Sequence, residues 1–144
     1  MKRGVFNMAY ERGKYGVEYT PRKGVVKDNV EAAKWYRKAA EQGHIEAQYR
    51  LGMMYGDGRG VTQDYTEAVK WFLKAAEQGN AEAQFNLAEA YYHGDGIDKD
   101  DDKAHLWFCK SWRQGVAKAE EFIKLLESNP TSGLLRRSKR LKMP

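Results

Sequence analysis

A chain of 144 residues with 31% charged and 42% hydrophobic residues is expected to fold as one soluble domain. The formal charge of +5 resides in residues 128–144, which hold Arg136, Arg137, Lys139, Arg140 and Lys142 and no acid; the body is neutral, which argues against nucleic-acid binding by it. Cys109 is the only cysteine, which excludes an internal disulfide, and the opening residues lack the apolar run of a signal peptide or membrane span, so the expected address is cytoplasmic, or exported if a leader has been removed upstream.

In chain order, residues 10–27 carry a partial copy of a pattern that is complete in the next two stretches. Tyr15, Gly16, Tyr19, Gly24 and Val25 stand 36 positions before Leu51, Gly52, Tyr55, Gly60 and Val61, which assigns 10–27 as an N-terminal cap. In 28–63 the first helix gathers Ala32, Trp35, Tyr36, Ala39 and Ala40 on one face at helical spacing, which places Trp35 in the core. Asp28 with Glu31 predicts a capping box at its start, and Gly43 predicts its end in a left-handed conformation. A second helix follows, with Ala47, Leu51, Met54 and Tyr55 on one stripe and Gly52 allowing close approach of a neighbour. Residues 64–99 repeat all of this: Asp64, Trp71, Ala75, Gly79, Ala83, Leu87, Tyr91 and Gly96 fall 36 positions after Asp28, Trp35, Ala39, Gly43, Ala47, Leu51, Tyr55 and Gly60. Residues 100–127 keep Asp100, Ala104, Trp107, Phe108, Gly115 and Ala119. There Lys103 replaces the capping Glu, Trp112 replaces a packing Ala and no Gly-x-Gly-Val turn follows Leu126, so this unit is assigned as the terminal cap. Ser128-Asn129-Pro130 stops the last helix, and 128–144 is a basic solvated tail in which Leu134, Leu135 and Leu141 leave room for a short docking segment. The fold class predicted by this period is all-α, a solenoid of helix-turn-helix repeats over residues 1–127.

The string Asp-x-x-x-Ala-x-x-Trp-aromatic-x-x-Ala-Ala-Glu-Gln-Gly-x-x-Glu-Ala-Gln, continued by Leu, Tyr, Gly-x-Gly-(Val/Ile) and Asp, resembles the Sel1-like repeat, a relative of the tetratricopeptide repeat. The resemblance covers most of residues 10–127. It implies a right-handed α/α superhelix, a bacterial source and an adaptor role without a reaction of its own. In the related tetratricopeptide fold the second helix of each unit lines a concave groove. By that analogy Tyr49, Met53, Phe85 and Tyr92 form a groove floor, with His93 beside it and Glu46, Glu82, Glu89, Lys118 and Glu121 on its rim; equally, Tyr49 and Phe85 can pack between repeats. Aromatic and methionine side chains are the anchors protein interfaces use, so the expected partner is a protein or peptide bound by a monomer.

No catalytic residue, cofactor or metal is assigned. Gly56-Asp57-Gly58-Arg59-Gly60 resembles a phosphate loop, but no strand precedes it and it recurs as Gly94-Asp95-Gly96, so it is a turn. The cluster Asp95, Asp98, Asp100, Asp101 and Asp102 fails the EF-hand pattern at Lys103 and Cys109 and suits a helix N-terminus. His105 and Cys109 lie four apart on one helix with no second pair to complete a metal site, which leaves packing as their role, and His44 is a cap or surface group. Two alternatives belong to other classes: weak β-lactam binding or hydrolysis as in cysteine-rich relatives, and binding of nucleic acid or anionic membrane by the tail. The first lacks a nucleophile and disulfides here.

Overall fold

A computed structural model of the chain describes residues 25–130. The expected cap over 10–24 and the basic side chains Arg136, Arg137, Lys139, Arg140 and Lys142 lie outside the described residues. Within them are six helices and no strand: α1 (Val25–Glu41), α2 (Ile45–Asp57), α3 (Tyr65–Glu77), α4 (Ala81–His93), α5 (Asp101–Arg113) and α6 (Ala119–Ser128). Consecutive helices pack in pairs, α1 on α2, α4 on α5 and α5 on α6. The chain divides into two compact units, Met1–Trp71 and Phe72–Pro144, with α3 starting in the first and finishing in the second.

In the first unit Ala32, Ala33, Tyr36 and Ala40 of α1, Ala47, Leu51 and Met54 of α2, and Trp71 of α3 make one buried cluster, flanked by Ala39, Tyr55 and Val61. The alanines allow close helix approach and the aromatic rings fill what remains. Trp71 is 6% exposed, but its counterpart Trp35 is 56% exposed, with the Lys38 ammonium over its ring at 5.5 Å. The expected burial of Trp35 is thus corrected. Trp71 is covered by the α1–α2 pair that precedes it, and among the described residues no such pair precedes α1. The aromatic one place further on is the constant core residue: Tyr36, Phe72 and Phe108 are all buried.

The helix ends follow from individual side chains. At α3 the Glu67 amide donates to Asp64 Oδ1 at 3.1 Å, while the Asp64 amide donates to the Tyr55 carbonyl at 2.9 Å. Glu67 instead holds Lys70 at 2.7 Å, so the reciprocal half of the predicted capping box is not formed because its donor is already used. The same pair recurs 36 residues on, with Lys103 N–H to Asp100 Oδ1 at 3.0 Å and Asp100 N–H to Tyr91 O at 3.0 Å. Lys103 is therefore no defect, since the bond needs only its amide. The α1 helix starts at Val25, which puts Asp28 inside the first turn and not at the N-cap expected for it.

The first helix of each repeat ends where predicted, beside a glycine with positive φ: Gly43 after α1, Gly79 after α3 and Gly115 after α5. The Gln of the Glu-Ala-Gln triplet then ties the next helix back, because buried Gln48 and Gln84 donate side-chain N–H groups to the carbonyls of Ala40 and Ala76 at 3.1 and 3.2 Å. Asn80 caps α4 by accepting from Ala83 N–H at 2.7 Å; His44, its counterpart at α2, makes no side-chain capping bond. Gly60 is the tightest point. Its φ is +77°, and a Cβ there would stand 2.2 Å from the Asn29 carbonyl oxygen, so the α2–α3 turn is pressed onto α1.

Candidate functional site

The second unit builds an aromatic cluster between α4, α5 and α6. Phe108 and Phe122 stack at 4.6 Å, with Phe85 edge-on to them at 5.4 and 5.8 Å. Tyr92 stands edge-on to Phe122 at 5.3 Å and to His93 at 5.0 Å. Edge-to-face and offset contacts are the favourable aromatic geometries, so the cluster is a rigid platform. Phe85 is 3% exposed, hence mostly part of that platform and only marginally an open floor; Tyr92 is half-buried.

Above the platform lies an open pocket of about 620 Å³ lined by Phe85, Glu89, Lys118, Glu121 and Phe122, with Ala117, Glu120 and Lys124. The charges around it divide into paired and unpaired sets. Lys118 sits over the Phe85 ring at 4.6 Å and 3.6 Å from Glu82, and Lys124 holds Glu120 at 2.9 Å. The carboxylates of Glu89 and Glu121 form no ion pair or hydrogen bond among the described residues. Burial raises the Glu89 carboxyl above its ordinary value of 4.5, against the opposing pull of His93 and Lys118. Glu89 thus has cationic neighbours in His93 and Lys118 but no direct ion pair, and a half-buried carboxylate beside aromatic rings gains from a cation in closer contact.

Thus Glu82, Phe85, Glu89, Tyr92, Lys118 and Glu121 belong to one neighbourhood in this unit, with exposed His93 at its margin beside Tyr92. Glu46, Tyr49 and Met53 belong to the first unit, on α2. There Arg50 pairs with Glu46 at 2.8 Å and lies over the Tyr49 ring at 5.7 Å, which engages both side chains. The residues not anticipated are Arg50, Phe108 as platform, Phe122, Glu120 and Lys124. Phe122 falls at the repeat position of Asn86 and Arg50, so no periodic signal marks an aromatic there; a Phe four places from Lys118 in a terminal helix was the available clue.

A cross-repeat bond fixes α5 onto α4. Gln114 Nε2 donates to the Gln84 side-chain oxygen at 2.8 Å and to the Gly79 carbonyl at 3.0 Å. On α5, His105 meets Glu127 of α6 at 2.7 Å and stands 3.7 Å from Cys109 Sγ. Burial first, then the Glu127 charge, pushes the Cys109 thiol above its ordinary range, which keeps it protonated and unreactive. In the acidic cluster, Asp100 caps α5 and Asp101 pairs with Lys99 at 2.8 Å. Among the described residues no group of three His, Cys, Asp or Glu side chains is placed to hold a metal, and no helix is long and apolar enough to cross a membrane. The body's neutrality is a sum of unlike parts: residues 72–130 hold seven basic and eleven acidic side chains, and the excess lies in Asp95, Asp98, Asp100, Asp101 and Asp102 between α4 and the start of α5, outside the pocket lining.

A family model described as the Sel1 repeat matches residues 3–44, 45–80 and 81–116. The second and third matches start 36 positions apart, at 45 and 81, though in a different frame from units counted at Asp28 and Asp64. Among solved structures, a Sel1 repeat protein from Oxalobacter formigenes is 35% identical at a TM-score of 0.66, over 74% of this chain and 43% of that one. The c5321 protein, a protective antigen of uropathogenic Escherichia coli strains with an SLR fold, is 35% identical at 0.72, over 81% of this chain and 25% of that one. Cysteine rich protein B of Helicobacter pylori is 26% identical at 0.58, over 60% and 65%. The chain thus spans less than half of the first two relatives and about two thirds of the third. No curated protein matches it significantly.

Proposed function

The chain belongs to the Sel1 repeat family, and from that premise we propose that it is a non-catalytic scaffold whose second unit binds a protein or peptide on the face made by α4 and α6. Sel1 repeat proteins generally act as protein–protein interaction scaffolds. The observation that carries the placement is the pair of unpaired carboxylates, Glu89 and Glu121, beside the aromatic platform in a pocket of about 620 Å³. An interface that buries aromatic edges and brings a cation into direct contact with Glu89 gains area and a charge pair in one step. The α2 residues Tyr49 and Met53 contribute less to this reading, since Glu46 and Tyr49 are already held by Arg50.

The test starts with capture of interacting proteins on the immobilised full chain, followed by titration of the purified partner by calorimetry. Glu89→Arg with Glu121→Arg is expected to weaken binding by about tenfold or more, in line with loss of charge pairing at an interface centre. Unchanged affinity in that variant, with loss in a Tyr49→Ala, Met53→Ala variant, would move the surface to α2.

A further inference from the structure

Two carboxylates of the pocket, Glu89 and Glu121, have no direct ion pair among the described residues, and the chain itself contains one segment rich in basic side chains. Residues 131–144 carry Arg136, Arg137, Lys139, Arg140 and Lys142 without a single acid, interspersed with Leu134, Leu135 and Leu141. They follow directly on α6, whose first turns line the pocket with Glu121 and Phe122. The distance is short enough. Glu121 lies about 10 Å back along the α6 axis from its last residue, at about 1.5 Å per residue. From Asn129 to Arg136 an extended chain spans up to roughly 23 Å.

We infer that the basic C-terminal segment docks in cis on this pocket, with an arginine or lysine against Glu89 and Glu121 and a leucine against the edge of the Phe85–Phe122 platform. The segment then acts as an internal competitor for the surface, and a partner has to displace it. The pocket's lysines are themselves engaged, Lys118 by Glu82 and Phe85 and Lys124 by Glu120, although the Lys118 charge also reaches Glu89. Opposite charges brought together at a half-buried site gain more than exposed pairs do, and the attraction weakens with salt. The inference rests on the α4–α6 face being a binding surface, yet it fails separately from that reading: an external partner can depend on Glu89 and Glu121 whether or not the segment docks there.

Zero-length carbodiimide coupling of the full chain, at low salt and micromolar concentration, reads the contact directly. Amide bonds are expected between Lys139 or Lys142 and Glu82, Glu89, Glu120 or Glu121 in the monomer band, identified by mass spectrometry after digestion. Their yield is expected to fall about fivefold or more in about 0.5 M salt, and by a similar factor in an Arg136→Glu, Arg137→Glu variant that keeps both lysines. Coupling found only in a dimer band would assign the pocket to a second copy and overturn docking in cis. Coupling spread equally over Glu31, Glu41 and Glu67, or no coupling of the two lysines at all, would overturn it as well.

Discussion

Glu89 and Cys109 are half-buried groups whose ionisation burial opposes, and each sets a measurable behaviour. Below its ordinary value of 4.5, the Glu89 carboxyl is protonated in folded and unfolded chains alike and contributes nothing. As pH rises toward its raised folded value the unfolded chain ionises first, so stability falls through that window and the penalty persists above it. Glu89→Gln is therefore expected to raise the melting temperature at pH 7 and leave it unchanged near about pH 3, as followed by circular dichroism. For Cys109 the raised thiol predicts alkylation by iodoacetamide at about pH 8 at least about tenfold slower in the native chain than in urea. Equal rates would show that neither burial nor Glu127 suppresses the thiolate. The tryptophans separate in the same way: Trp71→Ala is expected to cost about 3–5 kcal/mol in urea denaturation, and exposed Trp35→Ala less than about 1 kcal/mol.

Among elements, the interhelix turns divide into those that need only a backbone conformation and one that also needs space. Gly79 has φ +100° with nothing within 4 Å of a Cβ built on it, whereas Gly60 combines φ +77° with a backbone oxygen at 2.2 Å. Gly79→Ala should cost about 1 kcal/mol from the left-handed conformation alone. Gly60→Ala should cost at least about 1 kcal/mol more, because the turn must lift off α1; equal midpoints in urea would mean that the turn yields freely. Helix ends of this kind were legible beforehand. Gly43, Gly79 and Gly115 stop their helices as their spacing predicts, since a stop depends on one residue's φ. The start of α1 was not, because Asp28 has the chemistry of a cap and the helix nevertheless begins at Val25.

Among the described residues, ion pairs are mostly exposed pairs of near neighbours, such as Lys34–Glu31, Lys70–Glu67 and Lys124–Glu120, while the core is alanine, leucine and aromatic. Stability is therefore expected to be insensitive to salt, with a melting shift under about 3 °C between low salt and about 1 M, since exposed pairs contribute little. The sequence by itself determined the 36-residue period, the helix pairs, the glycine stops and the family, because these depend on residues within a few turns of one another or on repetition that exposes them. It also brought Glu82, Phe85, Glu89, Tyr92, Lys118 and Glu121 forward together as candidates. Only the tertiary structure decided which of two adjacent aromatics enters the core, that Phe85 is platform more than open floor, and that among the described residues Glu89 and Glu121 make no direct ion pair while Glu46 and Glu82 do. Those outcomes turn on side chains that meet from different helices, such as Phe85 with Phe108 and Phe122, or Gln84 with Gln114. Burial and charge pairing are properties of such neighbours, and local spacing along one helix does not contain them.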